Sequence, residues 1–147
     1  MELESSHSYL AMAAWFESTP YSGFTSWMHK QSLEERAHAM KFFDYLNSRG
    51  NGVELKAIPA PKNKYKNPLD VFKTSLKQEQ AVSKSIRAIY EVAQETKDFE
   101  TLNFLGWFLE EQIEEEKATQ DMIDKLEVAN GEPSALLRLD AAASQRE

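Results

Sequence analysis

The chain of 147 residues has no cysteine, only five glycines and five prolines, and no apolar run approaching the roughly 20 residues of a membrane-crossing helix. The missing cysteines exclude disulfide staples, thiolate nucleophiles, zinc–cysteine sites and cysteine-ligated iron–sulfur clusters, and permit a reducing cytosol. Basic side chains are the minority, 17 Lys and Arg against 24 Asp and Glu, for a formal net charge of −7. That balance argues against nucleic acid as a partner, because a broad phosphate contact needs a basic surface, and it suits an affinity for cations. The opening Met1-Glu2-Leu3-Glu4 has neither the basic region nor the apolar stretch of a secretory signal, and without an apolar span no membrane partner is expected.

What the chain does have is 41% hydrophobic residues, arranged at helical spacing. A single domain over residues 1–147 can bury roughly 68–70% of its unfolded surface, enough for one core. Strong helix formers with a period near 3.6 predict five helices: α1 from about Glu2 to Ser18, α2 from about Ser22 to Arg49, α3 from about Pro68 to Glu95, α4 from about Phe99 to Asn130, and a short α5 from about Pro133 to Ser144. Asn67 before Pro68 is a good N-cap with proline at the first helical position. Gly50 suits the position after Arg49, and Arg49 suits the negative end of the helix dipole. Short links make α1 and α2, and α3 and α4, antiparallel neighbours. The α2–α3 link, punctuated by Gly50, Gly52, Pro59 and Pro61, is long enough to run back along a helix of about 42 Å. The expected fold is therefore all-α, a four-helix bundle with one long crossover and a short C-terminal helix.

The bundle-facing stripes are interrupted by acids. On α2 the stripe reads Met28, Gln31, Glu35, His38, Phe42, Tyr45; on α3, Phe72, Leu76, Glu79, Ser83, Ile86, Tyr90; on α4, Phe104, Phe108, Glu111 or Gln112, Glu115, Thr119, Met122. On α1, Glu2 and Tyr9 share a face with Met12 and Phe16 below them. Unpaired carboxylates in a core cost several kcal/mol each, on the order of the penalty for any buried ion, or they protonate. The stripes offer little inward basic material besides His38, and a divalent cation would supply the missing charge.

Glu35-x-x-His38 is the sharpest local piece, because residues three apart on a helix can reach one cluster. Alone it is a common chance pattern. Level with acids on three other helices it has the ligand arrangement of a dinuclear carboxylate bundle, with Glu35 as the natural bridge. Oxygen and nitrogen donors with open positions favour Fe(II) or Mn. The acids Glu110, Glu111, Glu114, Glu115 and Glu116 are too many for one inward face. Glu110 and Glu116 read as solvated surface, whereas Glu34, Glu111 and Glu114 read either as surface or as a second, outer cation position. Tyr9 is placed either to hydrogen bond to a ligand or give up an electron, or simply to pack. Trp15, Trp27 and Trp107 read as packing, and His7 and His29 as surface or interface.

Glu2-Leu-Glu-Ser-Ser-His-Ser-Tyr9, Glu34-Glu-Arg-Ala-His38 followed by Phe42-Phe-Asp-Tyr-Leu46, Glu79-Gln80, and Glu111-Gln-Ile-Glu-Glu-Glu-Lys117 occur in one order and spacing. Over nearly the whole chain this resembles the ferritins of the non-haem maxi-ferritin type, with some likeness to cyanobacterial and algal members. The resemblance implies that Glu2, Glu35 and His38 hold one ferroxidase iron and that Glu35, Glu79 and Glu115 hold a second, with Gln112 beside them. It implies that Glu34, Glu111 and Glu114 form a third, outer iron position and that Tyr9 adjoins the centre. It further implies iron storage: Fe(II) oxidised with dioxygen or hydrogen peroxide and deposited as ferric mineral inside a 24-subunit cage, with α5 gathered around the four-fold axes.

No haem is expected. Bacterioferritins place a histidine three residues after the second bridging glutamate, and here Ala118 follows Glu115 at that distance. The family usually has a dozen or more residues before the position of Glu2, so either α1 is shortened or a further start precedes Met1; with Met1 as the start, Glu2 sits in a fraying first turn and is poorly held. The expected location is the cytoplasm, or a plastid if an address preceded Met1. Two other functions fit the residues less well: a different di-iron oxidase of ferritin-like fold acting on an organic substrate, and a metal-free structural bundle.

Overall fold

Helix α1 spans Glu2–Glu17, α2 Ser22–Ser48, α3 Pro68–Glu95, α4 Phe99–Ala129 and α5 Pro133–Ala143, each within one residue of the sequence expectation. These elements come from a computed structural model that describes residues 1–145; Arg146 and Glu147, the last two residues of the expected 1–147 domain, lie outside the described residues. Among the described residues there is no strand, and no helix is long and apolar enough to cross a membrane. The expected stops hold. The Asn67 side chain accepts a hydrogen bond from the Asp70 N–H at 2.9 Å with Pro68 behind it. Gly50 takes the left-handed conformation (φ 77°) that a residue with a Cβ adopts only at a cost.

The helices form two compact units, residues 1–66 with the segment from Gly131 onward, and Asn67–Asn130. In the first, α1 and α2 are antiparallel: Ser6 faces Ser32 while Glu2 faces Glu35, so α2 recedes as α1 advances. Ser6 and Ser32 clasp the two helices reciprocally, each hydroxyl donating to the other's carbonyl oxygen at 2.7 and 2.8 Å. Below this clasp Tyr9, Met12, Phe16, Phe24 and Met28 are fully buried, with the Phe16 and Phe24 rings 5.3 Å apart. The long link leaves the C-terminal end of α2 and brings Tyr65 against Trp15, near the α1–α2 turn, with ring centroids 5.7 Å apart. It thus runs back the length of the helical pair, as the crossover requires. Helix α5 packs on the start of α2.

In the second unit, Lys73 pairs with Glu127 at 2.6 Å and Ser83 with Glu116, so α3 and α4 are also antiparallel. Val71, Phe72, Ile86, Leu105 and Phe108 are buried here, and Trp107 packs its edge on Phe108.

Candidate metal centre

Glu35 lies in mid-α2, where the apolar stripe of Phe24 and Met28 gives way to Gln31, Glu35 and His38. One turn separates Glu35 from His38, and the antiparallel clasp brings the first residue of α1 alongside. Donor atoms of Glu2, Glu35 and His38 all lie within 4.8 Å of one another, and all three residues are buried. Glu35 is wholly inaccessible, and Glu2 is only 4% exposed. The expectation of a fraying, poorly held Glu2 is therefore corrected. Its place is secured by the Ser6–Ser32 clasp one turn away and by the Ser5 N–H bonding to the Met1 carbonyl at 2.9 Å.

The electrostatics of this cluster suit a cation. Both carboxylate oxygens of Glu2 are buried and accept no hydrogen bond from an N–H among the described residues. Glu35 does interact with Glu2, but two carboxyl groups can share a hydrogen bond only if one of them keeps a proton. Burial accordingly pushes the Glu2 carboxyl above its ordinary range, a rise opposed by the bond with Glu35 and by the terminal ammonium. Burial first, and then the Lys41 charge, push His38 down to about 4. The Glu35 carboxylate, 3.9 Å from His38 Nδ1, is too distant for a hydrogen bond and does not outweigh that burial. His38 is thus a neutral imidazole at physiological pH, the form that binds metal. The donor set is two hard oxygens and one borderline nitrogen, suited to Fe(II), and a cation would replace the proton that Glu2 favours.

Tyr9 is fully buried, two turns along α1 on the face that carries Glu2. Glu34 is half-buried on α2, and His7 and His29 are exposed. In the α3–α4 unit Glu79 is wholly buried, and Glu115 and Gln112 are each 4% exposed. The Gln112 amide nitrogen donates to Glu79 Oε2 and to the Glu79 carbonyl, both at 3.2 Å. Glu111 is half-buried, whereas Glu114 and Glu110 are exposed. Glu116 is not solvated surface as expected: it is half-buried and accepts a hydrogen bond from Ser83 at 2.5 Å. The hydroxyl of Ser83 on the inward stripe of α3 is the signal the sequence offers for that partner.

The chain matches the ferritin-like domain family over residues 1–129. It is 45% identical over 125 residues to a bacterial non-heme ferritin of Staphylococcus haemolyticus, covering 85% of this chain and 75% of that one. It is 39% identical over 135 residues to the counterpart from Staphylococcus aureus, covering 92% and 81%. An open pore ferritin from the hyperthermophilic archaeon Archaeoglobus fulgidus superposes with a TM-score of 0.98 at 40% identity, over 99% of this chain and 90% of that one. The chain belongs to the ferritin family. It has the ferritin fold, four bundle helices with a short fifth, and its function is iron storage with ferroxidase activity. As a ferritin it binds iron and forms a homo-oligomer. Family membership decides against the metal-free bundle and the organic-substrate oxidase.

Proposed function

We propose that residues 1–147 act as one ferritin-like domain and that Fe(II) is oxidised at a di-iron carboxylate centre bridged by Glu35. Glu2 and His38 complete the first iron position. Glu79 and Glu115 complete the second, with Gln112 beside it. The observation that carries this reading is the buried convergence of Glu2, Glu35 and His38, where neither Glu2 oxygen meets an N–H among the described residues.

Carboxylates are hard anionic ligands and stabilise Fe(III) over Fe(II), which favours electron loss. Two adjacent irons deliver two electrons together. With two protons, dioxygen becomes hydrogen peroxide; with two protons, hydrogen peroxide becomes two waters. Tyr9, beside the centre, is the group able to hydrogen bond to a ligand or lend a further electron. Glu34, Glu111 and Glu114 form an outer, third iron position through which iron passes between the centre and the mineral. The oligomer is a 24-subunit cage, and its place is the cytoplasm. The relatives named above are bacterial and archaeal, which lends a plastid address no support.

Stopped-flow oxidation of Fe(II) by wild type and Glu35→Ala tests the assignment. Loss of the fast phase in the variant supports it, and a rate near wild type sinks it.

A further inference from the structure

We propose that Ser83 and Glu116 are positioning residues for Glu79, acting through the side-chain amide of Gln112. The inference rests on the reading of Glu79 as an iron ligand, and it concerns a hydrogen-bonded chain that lies wholly within the α3–α4 pair.

Ser83 is 2% exposed, and its hydroxyl donates to Glu116 Oε1 at 2.5 Å. An ionised carboxylate only accepts, so Glu116 commits the single Ser83 hydrogen to itself and leaves lone pairs facing the other way. Gln112 meets those lone pairs with its nitrogen, at 3.3 Å from Ser83 Oγ. The same nitrogen donates to the Glu79 carbonyl oxygen and to Glu79 Oε2. One amide nitrogen therefore faces three acceptors on α3, and turning the amide over would set its oxygen against all of them. Each of these contacts is long, so the orientation comes from the set rather than from any one bond.

The result is that polarity imposed at Glu116 reaches Glu79. The amide anchors one of the two Glu79 carboxylate oxygens and so presents the carboxylate to iron in one orientation. This is the arrangement by which groups behind a ligand fix its direction and basicity. Glu116, Ser83 and Gln112 also line a cavity of about 190 Å³, with Arg87, Leu109 and Ile113 at its other sides. The cavity admits water to the Ser83–Glu116 end, so removing either group there leaves polar neighbours that water can satisfy. Ser83→Ala and Glu116→Gln therefore keep the fold.

Anaerobic calorimetric titration with Fe(II) and stopped-flow oxidation, on the assembled protein, test the chain. Ser83→Ala should weaken one of the two iron sites on the order of tenfold and raise the Fe(II) KM more than it lowers kcat. Glu116→Gln, whose side chain can also donate, should move both quantities in the same direction. Ser83→Thr keeps the hydroxyl and should restore wild-type binding, which a merely structural role for the site would not require. Glu79→Ala is run beside them and should abolish that same iron. If Glu79→Ala loses an iron while Ser83→Ala and Glu116→Gln bind as wild type, the positioning chain is overturned and the ferroxidase reading stands. If Glu79→Ala itself binds both irons as wild type, the ligand assignment fails and the inference fails with it.

Discussion

Asp140 of α5 accepts a hydrogen bond from the Phe24 N–H in the first turn of α2, at 2.8 Å, across 116 residues of sequence. Tyr21, the residue at the N-cap of α2, supplies no side-chain cap, so the capping carboxylate comes from another helix. It sits at the positive end of the α2 dipole, where an anion is favoured. Gly23 makes the approach possible: a Cβ there would lie 1.8 Å from the Asp140 carbonyl oxygen. That oxygen is backbone, so the clash could be relieved only by moving α5.

Gly23→Ala should therefore displace α5 and destabilise the protein. Asp140→Ala should cost about 1.5–3 kcal/mol, the usual worth of a hydrogen bond to a charged group. Urea unfolding measures both. Changes inside about 0.5 kcal/mol, the range of an ordinary surface substitution, would show that α5 does not depend on this contact.

The other end of α5 carries a pH-dependent cap. Glu132 accepts from the Ser134 N–H, the Ser134 hydroxyl and the Ala135 N–H. The Ser134 bonds first, then that of Ala135, hold its carboxyl below the ordinary range. A group lowered on folding adds stability that is present above its unfolded value of 4.5 and disappears as pH falls through the folded value. Glu132→Gln should thus be less stable than wild type at neutral pH, with the gap closing in acid. A gap that does not change with pH would mean that the charge contributes nothing to the cap.

Much of this was legible in the sequence. Proline and glycine punctuation, with the Asn67 cap, fixed the helix ends to within a residue, because capping is local chemistry. The inward stripes named Glu35, His38, Glu79 and Glu115, since a 3.6 period reports which face is buried, and all four are buried. What the period could not report was contact between distant segments. Chain-end position alone predicts that Glu2 frays, whereas the Ser6–Ser32 clasp that holds its helix joins residues 26 apart. Glu116 reads as surface in a run of acids until Ser83 of the neighbouring helix is seen to reach it. Asp140 carried no signal, for its partner is a backbone N–H.

Glu2 itself should show a trade between stability and function. Burial raises its carboxyl, so in the absence of metal the charged form opposes folding, and this cost grows as pH rises above its unfolded value of 4.5. Glu2→Gln should raise the thermal midpoint of the iron-free protein at neutral pH. It should also lower Fe(II) affinity by at least about tenfold, since losing a ligand costs no less than losing a group behind one. A variant that melts lower and still binds iron normally would mark Glu2 as a structural residue.

The proposed bridge at Glu35 is most directly tested by anomalous diffraction at the iron edge, on crystals exposed to Fe(II) without oxygen. Two peaks per chain about 3.5–4 Å apart, on either side of the Glu35 carboxylate, are predicted. Iron found only at exposed acids such as Glu114, with no peak within bonding distance of Glu35, would contradict the account.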